Sequence, residues 1–313
     1  MNCHSATAQF ISAANKNDAL NRSQFFTTDQ PLEMILSSDF KKLKSEKRKG
    51  ALQKATVTLY IPGRDSIKEE IQINARGQYR REICQMPSLM INFKNPGAVL
   101  LSSLKKMKLV CGCGTNSSNE ELVLMEYLAY KIYNLIAEMS FKVRLVHLSY
   151  RDVSNNVKPY TQYAFFIEDV DDMAKRNACR EYQYKAATQI INRTQMTTVA
   201  LFEYMIGNTD WSVPNYHNIK LIRSVLDSTT TPYAVPYDFD FAGLVDAPYA
   251  FPNEAFPIEK VTQRLYRGFA RSLDEIETAL QPFREKKGEI RALILGFEML
   301  NKKARGTMIK YLD

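Results

Sequence analysis

Secondary-structure signals are distributed unevenly along the chain, and this asymmetry constrains the fold more than any other feature of the sequence. In the first half, short runs of β-forming or alternating apolar residues are separated by turn residues, a pattern typical of strands. The predicted strands are Thr56–Tyr60, Ile67–Ala75, Ser88–Phe93, Lys106–Val110, Lys142–Tyr150 and Tyr160–Glu168. One long apolar helix, Glu120–Met139, interrupts this series, and we expect it to be well buried.

The second half of the chain has the opposite bias. After residue 168 the predicted elements are mainly helices, at Thr194–Ile206, Ser272–Lys286 and Glu289–Tyr311. Two short strands, Asn218–Ile222 and Tyr233–Tyr237, lie between the first and second of these helices. The sequence therefore predicts an α+β protein whose strands and helices are segregated along the chain.

Length and composition agree with a globular protein. The chain has 313 residues, 45% of them hydrophobic, which is enough for a large core in one bilobal domain or in two domains. We predict a tail or linker at residues 1–25, a β-rich part at residues 26–168 and a mainly helical part at residues 169–313. No window approaches a membrane span, and the start of the chain lacks a signal-type apolar core.

Cysteine, histidine and charge content exclude some classes of protein. Five cysteines, an odd number, argue against a dense disulfide framework, although one bridge from Cys84 to Cys111 or Cys113 is compatible with an exported protein. Three histidines are too few for a His-rich zinc site. The net charge of +8 favours anionic partners. The basic run Lys41–Lys49 is more typical of a solvated helix face than of a nucleic-acid interface, so nucleic acid is not the expected partner.

The stretch from Ile206 to Gly243 carries the strongest chemical signal. A helix ends at Gly207, Asp210 lies in the loop after it, Asn218 opens a short strand, and a second strand leads into Asp238 and Asp240. Phosphoryl transfer needs a carboxylate that takes the proton of the acceptor hydroxyl, and oxygen ligands that hold Mg²⁺ against the phosphates. The order of these residues on helix, loop and paired strands therefore predicts a phosphotransferase site.

These motifs resemble the spore-coat protein kinase (CotH) family of atypical protein kinases, and within it a branch from Bacteroides-like bacteria. The specific part of the resemblance is Gly207-Asn208-Thr209-Asp210-Trp211, Asn218 and Pro236-Tyr237-Asp238-Phe239-Asp240. Looser matches lie upstream, at Ala75-Arg76-Gly77, Lys108-Leu109-Val110, Glu126-Tyr127-Leu128-Ala129-Tyr130 and Phe166-Ile167-Glu168-Asp169. The resemblance covers most of residues 26–313.

The resemblance implies a bilobal protein-kinase-like fold with ATP between the lobes and Mg²⁺ or Mn²⁺ at the phosphates. Asp210 matches the catalytic aspartate, Asn218 the metal-binding asparagine, and Asp238 the metal-binding aspartate, with Asp240 as a second ligand. Asn215 competes with Asn218 for the asparagine role, and Asn218 is preferred because it begins the strand. His217, which adjoins Asn218, is expected to point to the opposite face if both residues lie in that strand.

The nucleotide contacts are less well defined by the resemblance. Lys94, Lys106 and Lys108 compete for the phosphate-binding role, with Lys108 preferred because it lies within a strand, and its helix partner is Glu126 or Glu121. Arg76, before Gly77, and Glu168, at the end of a strand, are the further candidates for cofactor contacts. Arg264 and Arg267 follow the segment Phe241–Val261 and are expected either to hold an acidic substrate or phosphate, or to form ordinary helix salt bridges.

The sequence thus predicts a Mg-ATP-dependent phosphotransferase. The resemblance implies a protein hydroxyl as acceptor and a site of action outside the cytoplasm, with the targeting segment not included in this sequence. We expect a monomer. The alternative is a catalytically inactive kinase-like module that binds partners at the cell envelope, since no typical glycine-rich phosphate loop is evident.

Overall fold

The computed structural model describes residues 22–63, 65–94, 99–227 and 229–313. The chain divides into two units, the first made of the described residues up to Glu120 together with Arg144–Ile167, and the second made of Glu121–Val143 and Glu168–Asp313. The predicted tail at residues 1–25 lies outside the described residues, except for the short helix α1 (Arg22–Phe25). Among the helices described, none is long and apolar enough to cross a membrane.

The first unit is built on a closed seven-stranded β-barrel. Its strands are β1 (Leu32–Ser38), β2 (Gln53–Tyr60), β3 (Ile67–Ala75), β4 (Leu89–Asn92), β5 (Lys106–Val110), β6 (Val143–Asp152) and β7 (Tyr160–Ile167). Their order around the barrel is β1-β2-β3-β4-β5-β7-β6, and a parallel pairing of β1 with β6 closes it. Because the sheet closes on itself, none of these strands is left as an open edge.

Strand β1 shows why the barrel closes. Its residues alternate between the buried interior and the outside, with Leu32, Met34 and Leu36 at most 2% exposed, and these side chains join the apolar core of the barrel. The register pairs Leu32 with Val146 and Ser38 with Asp152. The alternation is visible in the sequence, but β1 was not among the predicted strands, and without it the remaining strands form an open sheet.

The predicted bilobal kinase-like fold is wrong. The first unit is a closed mixed barrel rather than a β-rich lobe with one main helix, and the long helix α4 (Ser117–Ile136) belongs mostly to the second unit. Two further short helices, α2 (Phe40–Glu46) and α3 (Arg80–Ile83), accompany the barrel strands. The Asp39 side chain caps α2 by accepting from the Lys42 backbone N–H, so the start of the basic run is a capped helix.

A disulfide joins Cys84, after α3, to Cys113, after β5, and closes a loop of 29 residues. Of the two partners that the sequence allowed for Cys84, the structure selects Cys113. Cys111 is a free, buried thiol whose pKa is raised to about 11, chiefly by burial. At neutral pH this thiol stays protonated and is a poor nucleophile.

Removal of this disulfide is expected to destabilise the barrel unit. For the double substitution Cys84→Ser with Cys113→Ser we expect a loss of about 3–4 kcal/mol in the free energy of unfolding, because the open loop has more freedom in the unfolded chain. Denaturant unfolding with and without reductant measures this loss. Reductant should weaken the wild type to the same extent and leave the double variant unchanged; equal stability of oxidised and reduced wild type would contradict the prediction.

The second unit is mainly helical around a small three-stranded sheet. After α4, its helices are α5 (Val170–Arg176), α6 (Arg193–Ile206), α7 (Leu273–Gly296) and α8 (Lys302–Leu312). The antiparallel sheet has the order β10-β9-β8, with β8 (Cys179–Glu181), β9 (Ile219–Ser224) and β10 (Tyr233–Pro236). The capping box predicted between Ser272 and Glu275 is confirmed at the start of α7. The predicted helix break near residues 287–288 is wrong, because α7 continues to Gly296.

Candidate functional site

The loop that carries Asp210 is fixed by the end of helix α6. Gly207 caps the helix with φ +67, the left-handed region that glycine adopts at low cost, and a Cβ at this position would overlap the Tyr311 hydroxyl. The Asn208 side-chain oxygen accepts a hydrogen bond from the Asp210 backbone N–H at 3.0 Å. Asn208 is 1% exposed, so the side chain that holds this turn lies in the protein interior.

Asn218 links the Asp210 carboxylate to the strand pair. Its side-chain nitrogen donates to the Asp210 backbone oxygen at 2.7 Å and to Asp210 Oδ2 at 3.0 Å. Both amide protons of Asn218 are thereby used, so its Oδ1 is the remaining group for a further ligand. Asn218 is 7% exposed and has φ 52, a backbone strain that asparagine tolerates and that tends to occur at functional sites. Asn215, the rival, is exposed.

His217 also holds Asp210, and the sequence did not predict this contact. Its Nε2 lies 2.7 Å from Asp210 Oδ1. Strand β9 begins at Ile219, after both residues, so the alternation expected between His217 and Asn218 does not apply. A two-way backbone pairing of His217 with Ser212 instead orients the imidazole. The carboxylate of Asp210 is thus held at one oxygen by an imidazole and at the other by an amide.

Asp238 lies beside Asn218 because of the β9–β10 pairing. Pro236 pairs with Ile219, and the Tyr237 N–H donates to the Asn218 backbone oxygen at 3.0 Å. Asp238 has φ 67, and its backbone N–H donates to the Tyr130 hydroxyl at 2.8 Å. The next residue, Phe239, is fully buried against the Tyr130 ring, at 4.6 Å between ring centroids. Asp238 is therefore anchored on both sides by the core of this unit.

Asp240 has a different environment from Asp238. It is 6% exposed, and its Oδ2 accepts a hydrogen bond from the Tyr249 hydroxyl at 3.1 Å. Strand β10 ends at Pro236, so strand alternation does not determine which faces Asp238 and Asp240 occupy. The Asp240 carboxylate is therefore already engaged by a protein donor.

The oxygen atoms at this site fit a hard divalent cation. In the described part of the chain, the Asp238 carboxylate accepts no hydrogen bond and forms no ion pair, and Asn218 Oδ1 accepts none either. Carboxylate and amide oxygens suit Mg²⁺, which commonly takes one or two protein ligands and completes its shell with phosphates and water. The described residues contain no group of three or more His, Cys, Asp or Glu side chains placed to hold a metal. This donor set fits a cation that arrives with phosphates better than a resident structural metal.

A buried carboxyl lies behind the loop. Glu203 on α6 is 1% exposed, and neither of its carboxyl oxygens has a hydrogen-bond partner among the described residues. Burial raises the pKa of Glu203 well above its ordinary value; the Asn208 amide opposes this shift and the Asp210 carboxylate adds to it. Glu203 is therefore a buried carboxyl directly behind the loop that carries Asp210.

A cavity of about 360 Å³ opens beside Asp210 within the second unit. The cavity is lined by Thr209, Asp210, Trp211, Ser212, Asn215, His217, Phe251, Asn253, Phe256 and Arg267. Its size falls within the range of small-ligand pockets. Arg267 is half-buried in its wall, and neither Arg264 nor Arg267 lies in a helix, so the predicted helix salt bridges do not form.

The remaining predicted site residues have separate environments. Glu168 is 6% exposed, and its carboxylate pairs with Arg176 at 2.9 Å and accepts from the Lys142 backbone N–H, so it is engaged in a structural ion pair. Glu126 is fully buried in α4 of the second unit. The four basic candidates belong to the first unit: Lys108 is half-buried in β5, Lys106 is exposed at the start of β5, Lys94 is exposed after β4, and Arg76 is half-buried after β3.

Comparison of the chain with protein-family models and with curated proteins found no match.

Proposed function

We propose that this protein transfers the γ-phosphoryl group of Mg-ATP to a hydroxyl acceptor, with Asp210 as the general base. The observation that carries the proposal is the position of Asn218. Its amide nitrogen holds the Asp210 carboxylate and backbone, while its backbone oxygen accepts from Tyr237, next to Asp238. One residue thus connects the candidate base to the turn that carries Asp238, and carboxylate and amide oxygens are the ligands that Mg²⁺ prefers.

The chemistry assigned to each residue follows from its contacts. The two Asp210 oxygens accept from His217 and Asn218, and each oxygen keeps a second lone pair that is able to receive a proton. In the transfer, the acceptor O–H bond breaks and its proton passes to Asp210. The acceptor oxygen forms a bond to the γ-phosphorus, whose bond to the bridging oxygen breaks, and that electron pair leaves with ADP.

Asn218 Oδ1 and the Asp238 carboxylate are the groups that would hold the cation. When bound, the cation would supply positive charge at the β- and γ-phosphates. The nucleotide contacts expected for Arg76, Lys94, Lys108, Glu126 and Glu168 stay predictions, and Glu168 is the weakest of them because Arg176 already occupies its carboxylate. A protein hydroxyl as acceptor likewise rests on the resemblance alone.

We also propose that the protein works in an oxidising compartment outside the cytoplasm. The disulfide between Cys84 and Cys113 supports this proposal, because such bonds persist mainly in exported proteins.

Thermal unfolding in the presence of nucleotide and metal tests the proposal for binding. ATP with Mg²⁺ or Mn²⁺ is expected to stabilise the protein by about 2.7 kcal/mol at 100 times the dissociation constant. ATP with excess chelator, and Mg²⁺ alone, are the controls and should stabilise it far less. Absence of any effect from Mg-ATP and Mn-ATP would contradict the proposal, whereas binding without transfer to any acceptor would favour a non-catalytic binding module.

A further inference from the structure

The cavity beside Asp210 contains one arginine whose position the proposed function does not explain. Arg267 Nη1 donates to the backbone oxygens of Thr209, at 2.7 Å, and Trp211. Its guanidinium lies over the Trp211 ring, at 4.9 Å from the centroid, and over the Phe256 ring, at 4.6 Å. Two aromatic rings and two carbonyls therefore fix the plane of this guanidinium in the cavity wall.

The rest of the Arg267 guanidinium is available for a ligand. In the part of the chain that the structure describes, Nε and Nη2 donate to no protein acceptor, and neither atom is among the buried polar atoms left without a partner. An arginine edge made of these two nitrogens matches the two oxygens of a carboxylate or phosphate. A pre-oriented edge of this kind also costs less side-chain entropy when a ligand binds.

The charges around Arg267 also favour an anionic ligand. Burial is the largest influence on the pKa of Arg267 and lowers it, and the Asp210 and Glu203 carboxyls only partly oppose this effect. The Asp210 carboxylate is engaged by His217 and Asn218, and no ion pair joins it to Arg267 among the described residues. The positive charge of Arg267 is therefore not fully compensated within the cavity.

We propose that this cavity is the acceptor subsite and that it selects a hydroxyl compound with an anionic group, carboxylate or phosphate, next to the hydroxyl. This inference rests on the proposed function, since Asp210 in the same cavity receives the proton of that hydroxyl. The Arg267 edge binds the anion and orients the acceptor, while the Trp211 and Phe256 rings hold Arg267 in place. The same chemistry is offered by a free hydroxy acid and by a serine flanked by acidic side chains in a peptide.

Ligand binding to this subsite is measurable without catalysis. Trp211 is the only tryptophan of the chain and lines the cavity, so its fluorescence reports on occupancy directly. The probes form two pairs: glycerate against glycerol, and a short serine peptide with glutamate on both sides against the same peptide with glutamine. We expect at least one anionic probe to bind roughly 10-fold to 100-fold more tightly than its neutral partner, the range for hydrogen bonds to charged groups. The pair that shows this preference identifies the source of the acceptor.

Variants of two matched arginines test the role of Arg267. Arg264 donates to the backbone oxygens of Met205 and Tyr311 and lies over the Tyr311 ring at 4.4 Å, but it does not line the cavity. The ratio of the affinities for the anionic and the neutral probe is expected to fall close to one in Arg267→Met. Arg267→Lys should reduce this ratio in part, and Arg264→Met should leave it unchanged. Circular dichroism confirms that each variant is folded, and Arg267→Lys provides the test if Arg267→Met is not.

The outcomes separate this inference from the proposed function. Equal affinity of the wild type for charged and neutral probes in both pairs would overturn it. An equal loss of both affinities in Arg267→Met would also overturn it, because that result assigns Arg267 only to holding the loop. Arg267-dependent binding of an anionic probe without any transfer from ATP would support the subsite and reject the phosphotransferase.

Discussion

Asp210→Asn is expected to lower the rate of phosphoryl transfer by about 10²–10⁴-fold, the usual contribution of a general base. Asparagine keeps the size of the side chain and an oxygen that accepts from either His217 or Asn218, but it does not take up the proton of the acceptor. Asp210 is about one-third exposed, so the substitution should leave the fold and the binding of Mg-ATP nearly unchanged. Single-turnover transfer from γ-labelled ATP, together with thermal unfolding of the nucleotide-bound protein, measures both quantities.

Asp171→Asn is the matched control, because Asp171 is an exposed aspartate on α5 of the same unit. It should transfer phosphate at the wild-type rate. An Asp210→Asn protein that transfers as fast as this control would remove Asp210 from the mechanism. A loss of transfer that comes with loss of nucleotide binding would instead assign Asp210 to the binding of the nucleotide.

Asp238→Asn is expected to raise the magnesium concentration needed for half-maximal activity by at least roughly 10–100-fold. That range is the loss of metal affinity when a residue that only supports a metal ligand is mutated, and loss of a ligand should cost at least as much. The substitution removes the negative charge of the only proposed carboxylate ligand and keeps its shape. The shift should appear as a change in the metal requirement, with part of the activity recovered at high Mg²⁺ or Mn²⁺. Titration of the initial rate with each metal at saturating ATP measures it.

Asp246→Asn controls for the strained backbone in this experiment. Asp246 is exposed and shares the left-handed conformation of Asp238, with φ 51 against φ 67, so any effect of asparagine on such a conformation appears in both variants. We expect Asp246→Asn to keep the wild-type metal requirement. An unchanged requirement in Asp238→Asn would remove Asp238 from the set of metal ligands. The same titration of Asp240→Asn shows whether Asp240, which is buried and accepts from Tyr249, also contributes to metal binding.

Local elements were the part of the fold that the sequence predicted well. Strands β3 and β5 have the predicted bounds, and α6 begins one residue before its predicted start, because alternation, helical periodicity and Gly207 are local signals. The closure of the barrel was not predicted, since it depends on the pairing of β1 with β6 across a long stretch of chain. The helix α5, which follows Glu168, was not among the predicted helices.

The candidate site was predicted in part. The sequence order predicted that helix, loop and paired strands bring Asp210, Asn218 and Asp238 to one place. In the structure the Asn218 amide binds Asp210, and Tyr237, the residue before Asp238, pairs with the Asn218 backbone. The contact of His217 was missed because it depends on a turn in which Tyr216 and Asn218 both have positive φ. The residue pattern does not predict that conformation. The only signal in the sequence was a histidine next to an asparagine just before a strand.

The parallel pairing that closes the barrel has a consequence for the nascent chain. Glu33 on β1 contacts His147 on β6 at 2.9 Å, although the two residues are 114 positions apart. On a ribosome that adds 5–20 residues per second, β1 therefore waits on the order of ten seconds for its closing partner. β2 follows β1 closely and occupies one of its edges, but the backbone N–H and C=O groups on the edge that faces β6 stay open to other strands during that interval. Crowding or the lack of a chaperone should therefore lower the yield of this protein chiefly before residue 152 has emerged.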